Sequence, residues 1–358
     1  MNREMHDGRE DGLEPLESLD IRGTKSFAHL LEGMSKTAFG GRALGEAYEI
    51  LCQMAEDPSC TIVVTVSGAM TVAKMGRLLC EMIESGLAQV VVSTGAIVAH
   101  GLSEAIGGIH YKYDDRVSDK QLFEWGYNRV YDTLEMEANL NRTEKQISAV
   151  LKDLDWSRPT CSSQINRELG RRLVEQGQMP SILGCAYDRN VPVYVPAFTD
   201  SELGLDVATH FLAQRFRQGG QDHSDALFAE CPAFNPFLDL FDYAKRALSA
   251  KRLGIFTIGG GVPRNWAQEV APFVDLLNVR LGTEFSVPRF QYGVRICPEP
   301  EHWGGLSGCT YAEGVSWGKF VSHQQGGRFA EVHCDATIAW PLLLRGVLES
   351  LPSPRNAP

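Results

Sequence analysis

Leu253-Gly-Ile-Phe-Thr-Ile258, followed by Gly259-Gly-Gly261-Val-Pro-Arg-Asn-Trp266, is the stretch from which the fold can be read. An apolar, β-branched run ends in three glycines, and an amphipathic stretch follows. Such a run, bounded by small residues, predicts a buried strand. The glycines let backbone come very close to a ligand. Pro263 suits a first helical turn, which leaves helix N–H groups aimed at an anion. Phosphate or dinucleotide binding is one reading of this turn; tight strand–helix packing is the other.

The same signal recurs outward from this stretch. Thr61-Ile-Val-Val-Thr-Val66 ends at Ser67-Gly68, and an amphipathic helix is expected from Met70 to Ser85. Gln89-Val-Val-Val-Ser-Thr94 ends at Gly95-Ala96, with a helix expected to Ile106. Val191-Pro-Val-Tyr-Val195 reads as a strand leading to Asp200, which is placed to meet a ribose or an amine, or else to form an Asx turn or cap. Gln291-Tyr-Gly-Val-Arg-Ile296 and Ala330-Glu-Val-His-Cys334 read as further strands, the second followed by Asp335-Ala336 and an apolar helix from Ile338 to Leu348. Helices are also expected over Arg42–Met54, Gln121–Asn141, Gln146–Leu154, Ser162–Gln176 and Asn235–Leu248, and a loop over residues 216–233. Near-continuous apolar strands alternating with helices predict an α/β fold. Its centre is a doubly wound, mostly parallel Rossmann-like sheet with helices on both faces. The expected organisation is a disordered segment over residues 1–18, one large domain over 19–350 and a tail over 351–358.

Composition narrows the function. The chain has 358 residues, 44% hydrophobic and 22% charged, with a net charge of −11. That balance argues against nucleic acid, whose phosphates need clustered Lys and Arg. It suits a cationic substrate, and equally an ordinary soluble protein. The nine cysteines include no CxxC pair, which points to a reducing compartment and to no metal site. No apolar leader opens the chain and no apolar run reaches about 18 residues, so a cytoplasmic protein with no membrane partner is expected.

Near the C-terminal end, Trp303 to Phe320 reads WGGLSGCTYAEGVSWGKF. It gathers glycines, a carboxylate (Glu313), an aromatic (Trp317) and an amine (Lys319), and reads as a binding loop or a structural turn. By composition alone, Lys319 reads as a solvated lysine.

Taken together, EGVSWGKF, the triple glycine before a helix, PAFTD after a strand and CDATIAWPLLL near the end resemble the deoxyhypusine synthase family, in order along residues 20 to 350. The resemblance implies an NAD-dependent transferase and a homotetramer with sites at subunit interfaces. Such an enzyme oxidises spermidine, holds the 4-aminobutyl group as an imine on a lysine, and passes it to a translation-factor lysine. Some relatives pass it instead to putrescine and make homospermidine. Carried over, Lys319 forms the imine, Trp317 lines the polyamine tunnel and Glu313 holds an ammonium. The NAD contacts fall at Gly68, Ala69, Met70, Thr71, Thr94, Gly95, Ala96, Asp200, Gly260, Ser307, Asp335 and Ala336. A nucleophilic lysine must be neutral, and burial beside an aromatic favours that form. The chain departs from the family pattern on the polyamine side. Asn265 stands where a histidine is usual, His100 where a glutamate is usual, and Leu306 and Leu205 where acids are usual, with Asp206 adjacent to the last. The alternatives are an NAD-dependent amine dehydrogenase without transfer and a non-catalytic NAD-binding relative.

Overall fold

The computed structural model of the chain describes residues 5–217, 227–228 and 231–351. Nine strands are found among them: β1 (Cys60–Val66), β2 (Val90–Ser93), β3 (His110–Lys112), β4 (Tyr127–Val130), β5 (Thr133–Met136), β6 (Val193–Tyr194), β7 (Arg252–Ile258), β8 (Phe290–Ile296) and β9 (Arg328–Val332). Six of them form one sheet in the order β6-β2-β1-β7-β8-β9, with every neighbouring pair parallel. Val63 pairs with Val90 on one side and with Ile255 on the other.

Strand periodicity sends alternate side chains to opposite faces. Ile62, Val64, Val66, Val91, Phe256 and Ile258 join one core cluster, while Val63, Val90, Val92, Leu253 and Ile255 join another. The first face is covered by helices that include Phe39–Glu56, Gly76–Glu84, Gly95–Ala105 and Ala336–Ser350. The second is covered by Phe237–Ser249, Gly261–Gln268, Val270–Leu281 and the short helix Tyr311–Ser316. Each buried Val or Ile side chain contributes about 1.5–3 kcal/mol, and burial on both faces is why these strands read as unbroken apolar runs. The doubly wound parallel sheet is therefore present as expected.

Several local expectations are corrected. The helix expected over Gln121–Asn141 is instead a helix at Asp119–Glu124, a hairpin of β4 and β5, and the start of the helix Glu137–Asp153. Gly126, at φ +72°, ends the first helix, and a two-residue turn at Tyr131-Asp132 reverses the chain. β3, β5 and β4 form a separate antiparallel sheet. The helix expected from Met70 begins only at Gly76, because residues 70–75 close a turn through Met75 N–H to the Met70 carbonyl, with Lys74 at φ +64°. The strand expected over Val191–Val195 shrinks to two residues between Pro192 and Pro196, since proline has no N–H to give the ladder. The expected loop over residues 216–233 lies largely outside the described residues, as do the first four residues and residues 352–358.

Candidate active site

The chain leaves β1 for β2 and then β6 on one side, and returns to the other side of β1 with β7. A crevice outside the carboxyl ends of the strands is expected at that reversal. A cleft of about 220 Å³ lies there, lined by Ser67 after β1, Ser93 at the end of β2 with Thr94 and Gly95 after it, Ala197 and Asp200 after β6, Gly260–Pro263 after β7, and Ser307. The helices Gly95–Ala105 and Gly261–Gln268 both begin at this cleft, so their free N–H groups and positive dipole ends meet in it. Gly259 and Gly261 hold φ of +87° and +63°, and a Cβ on Gly260 would lie 2.6 Å from Ser307 Cβ. The Ser93 hydroxyl is buried with no hydrogen-bond partner among the described residues. Glycines at the wall, hydroxyls and two helix starts form a cradle for a phosphate-bearing ligand.

Of the residues expected at a cofactor, Thr94, Gly95, Asp200, Gly260 and Ser307 line this cleft. Gly68 contributes its carbonyl, which accepts the Thr94 hydroxyl at 3.1 Å. Ala69, Met70 and Ala96 are not among the lining residues, and Thr71 is buried against a different cavity beside Gly76 and Gly101. Asp335 accepts from the Thr337 N–H at 2.9 Å and caps the last helix, with Ala336 buried behind it, two strands away from β7.

Two buried arginines hold the Ser307 wall, and sequence reading did not single them out. Arg264 donates to the carbonyls of Ser307 and Cys309 at 3.2 and 2.6 Å. Arg295 donates to the same two at 2.8 and 2.7 Å, to Gly308 at 3.2 Å and to Glu331 at 2.6 Å. Arginine in the middle of an apolar strand was the available signal, because a buried guanidinium must be satisfied.

The Lys319 backbone lies at the other end of the sheet. Its carbonyl accepts from Phe290 N–H, the first residue of β8. The side chain is only 10% exposed. Nζ donates to Asn265 Oδ1 at 3.1 Å and to Glu269 Oε1 at 2.7 Å, and stands 5.8 Å from the Trp317 ring centroid. Within the stretch Trp303–Phe320, expected to be a binding loop or a structural turn, residues 303–310 are turns and loop and Tyr311–Ser316 is a short helix, capped by Thr310 Oγ1 accepting from Glu313 N–H. Glu313 is exposed and pairs with no cation among the described residues; Trp317 is 66% exposed. Glu269 was not foreseen, although it lies one helical turn beyond Asn265.

A third group of side chains surrounds His100. Its Nδ1 contacts Glu135 Oε2, which also accepts from His110 Nε2 at 3.1 Å, while Glu135 Oε1 accepts from Ser103 at 2.9 Å. His100, His110 and Glu135 bring three potential ligand atoms within 4.8 Å of one another. Lys74 Nζ donates to His110 Nδ1 at 2.8 Å, however, so the proton sits on Nε2, the nitrogen that a metal would need.

A family model for deoxyhypusine synthase matches residues 29–347. The chain is 32% identical over 340 residues to the probable deoxyhypusine synthase 2 of Methanosarcina acetivorans, covering 94% of this chain and 90% of that one. It is 31% identical over 333 residues to a deoxyhypusine synthase-like protein of Chlorobaculum tepidum, covering 92% and 88%. The chain belongs to the deoxyhypusine synthase family. A crystal structure described as that of a deoxyhypusine synthase from Entamoeba histolytica superposes with a TM-score of 0.58 at 13% identity, over 96% of this chain and all of that one, and so shares the fold. Membership of the deoxyhypusine synthase family supports a transferase with an aminobutyl transfer role.

Of the departures from the deoxyhypusine synthase pattern, His100 and Asn265 bond to other side chains and the two leucines do not. Leu306 and Leu205 are exposed, at 62% and 60%. Asp206 is half-buried, and burial first, then the charges of Glu144 and Glu202, push its carboxyl up to about 7. No cation among the described residues pairs with it. No helix among the described residues is long and apolar enough to cross a membrane.

Proposed function

We propose that this protein is an NAD-dependent transferase that moves a 4-aminobutyl group from spermidine or a related polyamine, through an imine on Lys319, onto an amine acceptor. The acceptor is a protein lysine, as of a translation factor, or putrescine, which would give homospermidine. The observation that carries the reading is the buried Lys319 amine, packed near an aromatic ring and held by Asn265 and Glu269.

The cleft's own features suit the phosphate-bearing part of NAD: the Gly260 wall that a Cβ would fill, the unpartnered Ser93 hydroxyl and the two helix starts. When bound, it accepts hydride from the carbon beside the substrate nitrogen. Thr94, Gly95, Gly260 and Ser307 would hold it, with Asp200 at a ribose. Lys319 then adds to the imine carbon and releases the departing diamine, and Glu269 is the group placed to take up the proton that Nζ loses. Asp206, with Glu202 and Glu144, supplies negative charge for the ammonium groups.

The Lys319 backbone sits at the amino end of β8, and its amine reaches Asn265, two residues beyond Pro263 of the cleft wall. The cleft, at about 220 Å³, is smaller than the roughly 300–1,000 Å³ of an ordinary ligand site. Val262, Trp303, Leu306 and Trp317 are exposed. These features support an assembly, a homotetramer in the family's manner, in which a second copy completes each site. Mixing a Lys319→Ala chain with a Gly260→Val chain tests this: activity recovered from two inactive parents supports shared sites, and none recovered refutes them.

The ion pair with Glu269 favours a second reading, an amine dehydrogenase in which Lys319 stays a structural cation. Intact-mass spectrometry after incubation with NAD, spermidine or putrescine, and borohydride separates the two. One aminobutyl unit on Lys319 supports transfer. NADH formation without an adduct supports the dehydrogenase.

A further inference from the structure

We propose that His100, oriented by Glu135, is the base that takes the proton from the substrate amine before hydride leaves. The inference rests on the amine-oxidising reading above and assigns a role within it.

Hydride can leave the carbon beside a nitrogen only when that nitrogen has a free lone pair. A polyamine nitrogen arrives as an ammonium, so a proton must go first. The substrate ammonium gives its proton to His100 Nε2. The neutral amine then releases hydride to the nicotinamide ring, which leaves an iminium ion and the reduced cofactor. Charge and atoms balance with one proton on the imidazole.

The structure builds the imidazole–carboxylate pair that this step uses. Glu135 is buried and ionised: burial would raise its carboxyl, but hydrogen bonds from His100, His110 and Ser103 bring it down to about 2. Since Lys74 donates to His110 Nδ1, His110 must donate to Glu135 through Nε2. Ser103 fills the other oxygen. Glu135 therefore receives the His100 Nδ1 proton and fixes the tautomer, leaving Nε2 as the basic nitrogen. That Nε2 has no hydrogen-bond partner among the described residues.

Its position suits the task. His100 lies on the helix Gly95–Ala105, whose first turn lines the cleft, about 7.5 Å farther along the axis. The facing helix Glu202–Arg217 begins just after Asp200, another lining residue, and a Cβ on Gly95 would collide with Ser201 Oγ at 2.1 Å, so the two elements are in contact there. The charged and titratable groups around the imidazole are Glu135 from β5, His110 from β3 and Glu202 from the facing helix, with Lys74 and Glu104 behind His110. Burial lowers the imidazole pKa, but the Glu135 hydrogen bond and charge and the Glu202 charge outweigh it and raise it. A bound ammonium beside Glu202 and Asp206 adds positive charge, favours the neutral ring and so prepares the base when substrate is present.

The test is single-turnover NADH formation with spermidine or putrescine across pH, in the full-length protein. The wild-type rate should rise with pH through a limb set by His100. His100→Gln should lose about 10²- to 10⁴-fold in rate and lose the limb, with little change in amine KM. Glu135→Gln should move the limb to lower pH and slow the step less; a purely structural pair would lower the melting temperature and leave the limb in place. Isotope-labelled histidine in the wild type gives an independent readout, because the His100 ring signal should titrate at lower pH once the amine is added. A His100→Gln protein within about threefold of wild type, or an unmoved His100 signal with amine bound, overturns the proposal alone. A wild type that binds no amine and forms no NADH refutes the amine-oxidising reading, and this one with it.

Discussion

The cleft at the carboxyl ends of β1, β2 and β7 and the lysine pocket at the amino end of β8 are built from different materials. The cleft is mostly backbone: glycines, helix N-termini and short hydroxyl side chains. The lysine pocket is side chains and charge: Nζ, the Asn265 amide, the Glu269 carboxylate and the Trp317 ring. A site made of backbone depends on nothing larger than hydrogen occupying a few positions. A site made of charges depends on partners that sit far away in the chain. The two should therefore fail in different ways.

The largest effect is expected from Lys319→Ala. Transfer should be abolished, with NAD affinity nearly unchanged when titrated by fluorescence. Equal activity in the variant would end the imine mechanism, and lost NAD binding would mean that the two regions are one.

Gly260→Val should do the reverse. Its Cβ would meet Ser307 Cβ at 2.6 Å, against a wall held by two buried arginines. NAD affinity should fall about 100-fold, as an overpacked site loses a few kcal/mol. The Lys319–Glu269 pair should survive, seen as an unchanged contact in a crystal structure of the variant.

Glu269→Gln keeps the size and removes the charge. About a hundredfold loss in transfer is expected, from a lost proton acceptor, with NAD binding intact. A faster enzyme would show that the ion pair restrains Lys319 rather than serving it.

Asp206→Asn should have the smallest effect. Ionised Asp206 should attract the amine, so wild-type amine affinity should fall as pH drops through about 7, while the variant should keep only the weaker dependence that His100 imposes. The sign for stability is opposite. A carboxyl raised in the folded state contributes stability below its unfolded value, and that contribution is lost as pH rises through about 7. Asn should therefore raise the melting temperature at pH above 7 and leave it unchanged near pH 4.

Much of this contrast could be read along the chain. β1, β2 and β7 each announce themselves as β-branched runs ending in small residues. Gly259–Gly261 marked the cleft, since a turn that needs φ > 0 twice admits little else. The EGVSWGK stretch brought Lys319, Trp317 and Glu313 forward, but not the short helix that leaves Glu313 on the surface. Asp335 was expected at a cofactor and is a helix cap, a role that the residue type fits equally well. The small antiparallel sheet was hidden because Gln121–Asn141 carries enough apolar residues to imitate a helix until Gly126 interrupts it.

Local order along the chain was enough for the parallel sheet, the crevice at its switch point and the glycine wall, because strand burial and turn geometry act over a few residues. What surrounds each ionisable group was settled only in three dimensions. Glu269 lies 50 residues from Lys319, Glu135 lies 35 from His100, and the buried Thr65 and Thr257 hydroxyls that join β1 to β7 lie 192 apart. A charge in a low-dielectric interior takes its behaviour from whatever the fold places within a few ångströms, and no periodicity in the chain encodes that neighbour.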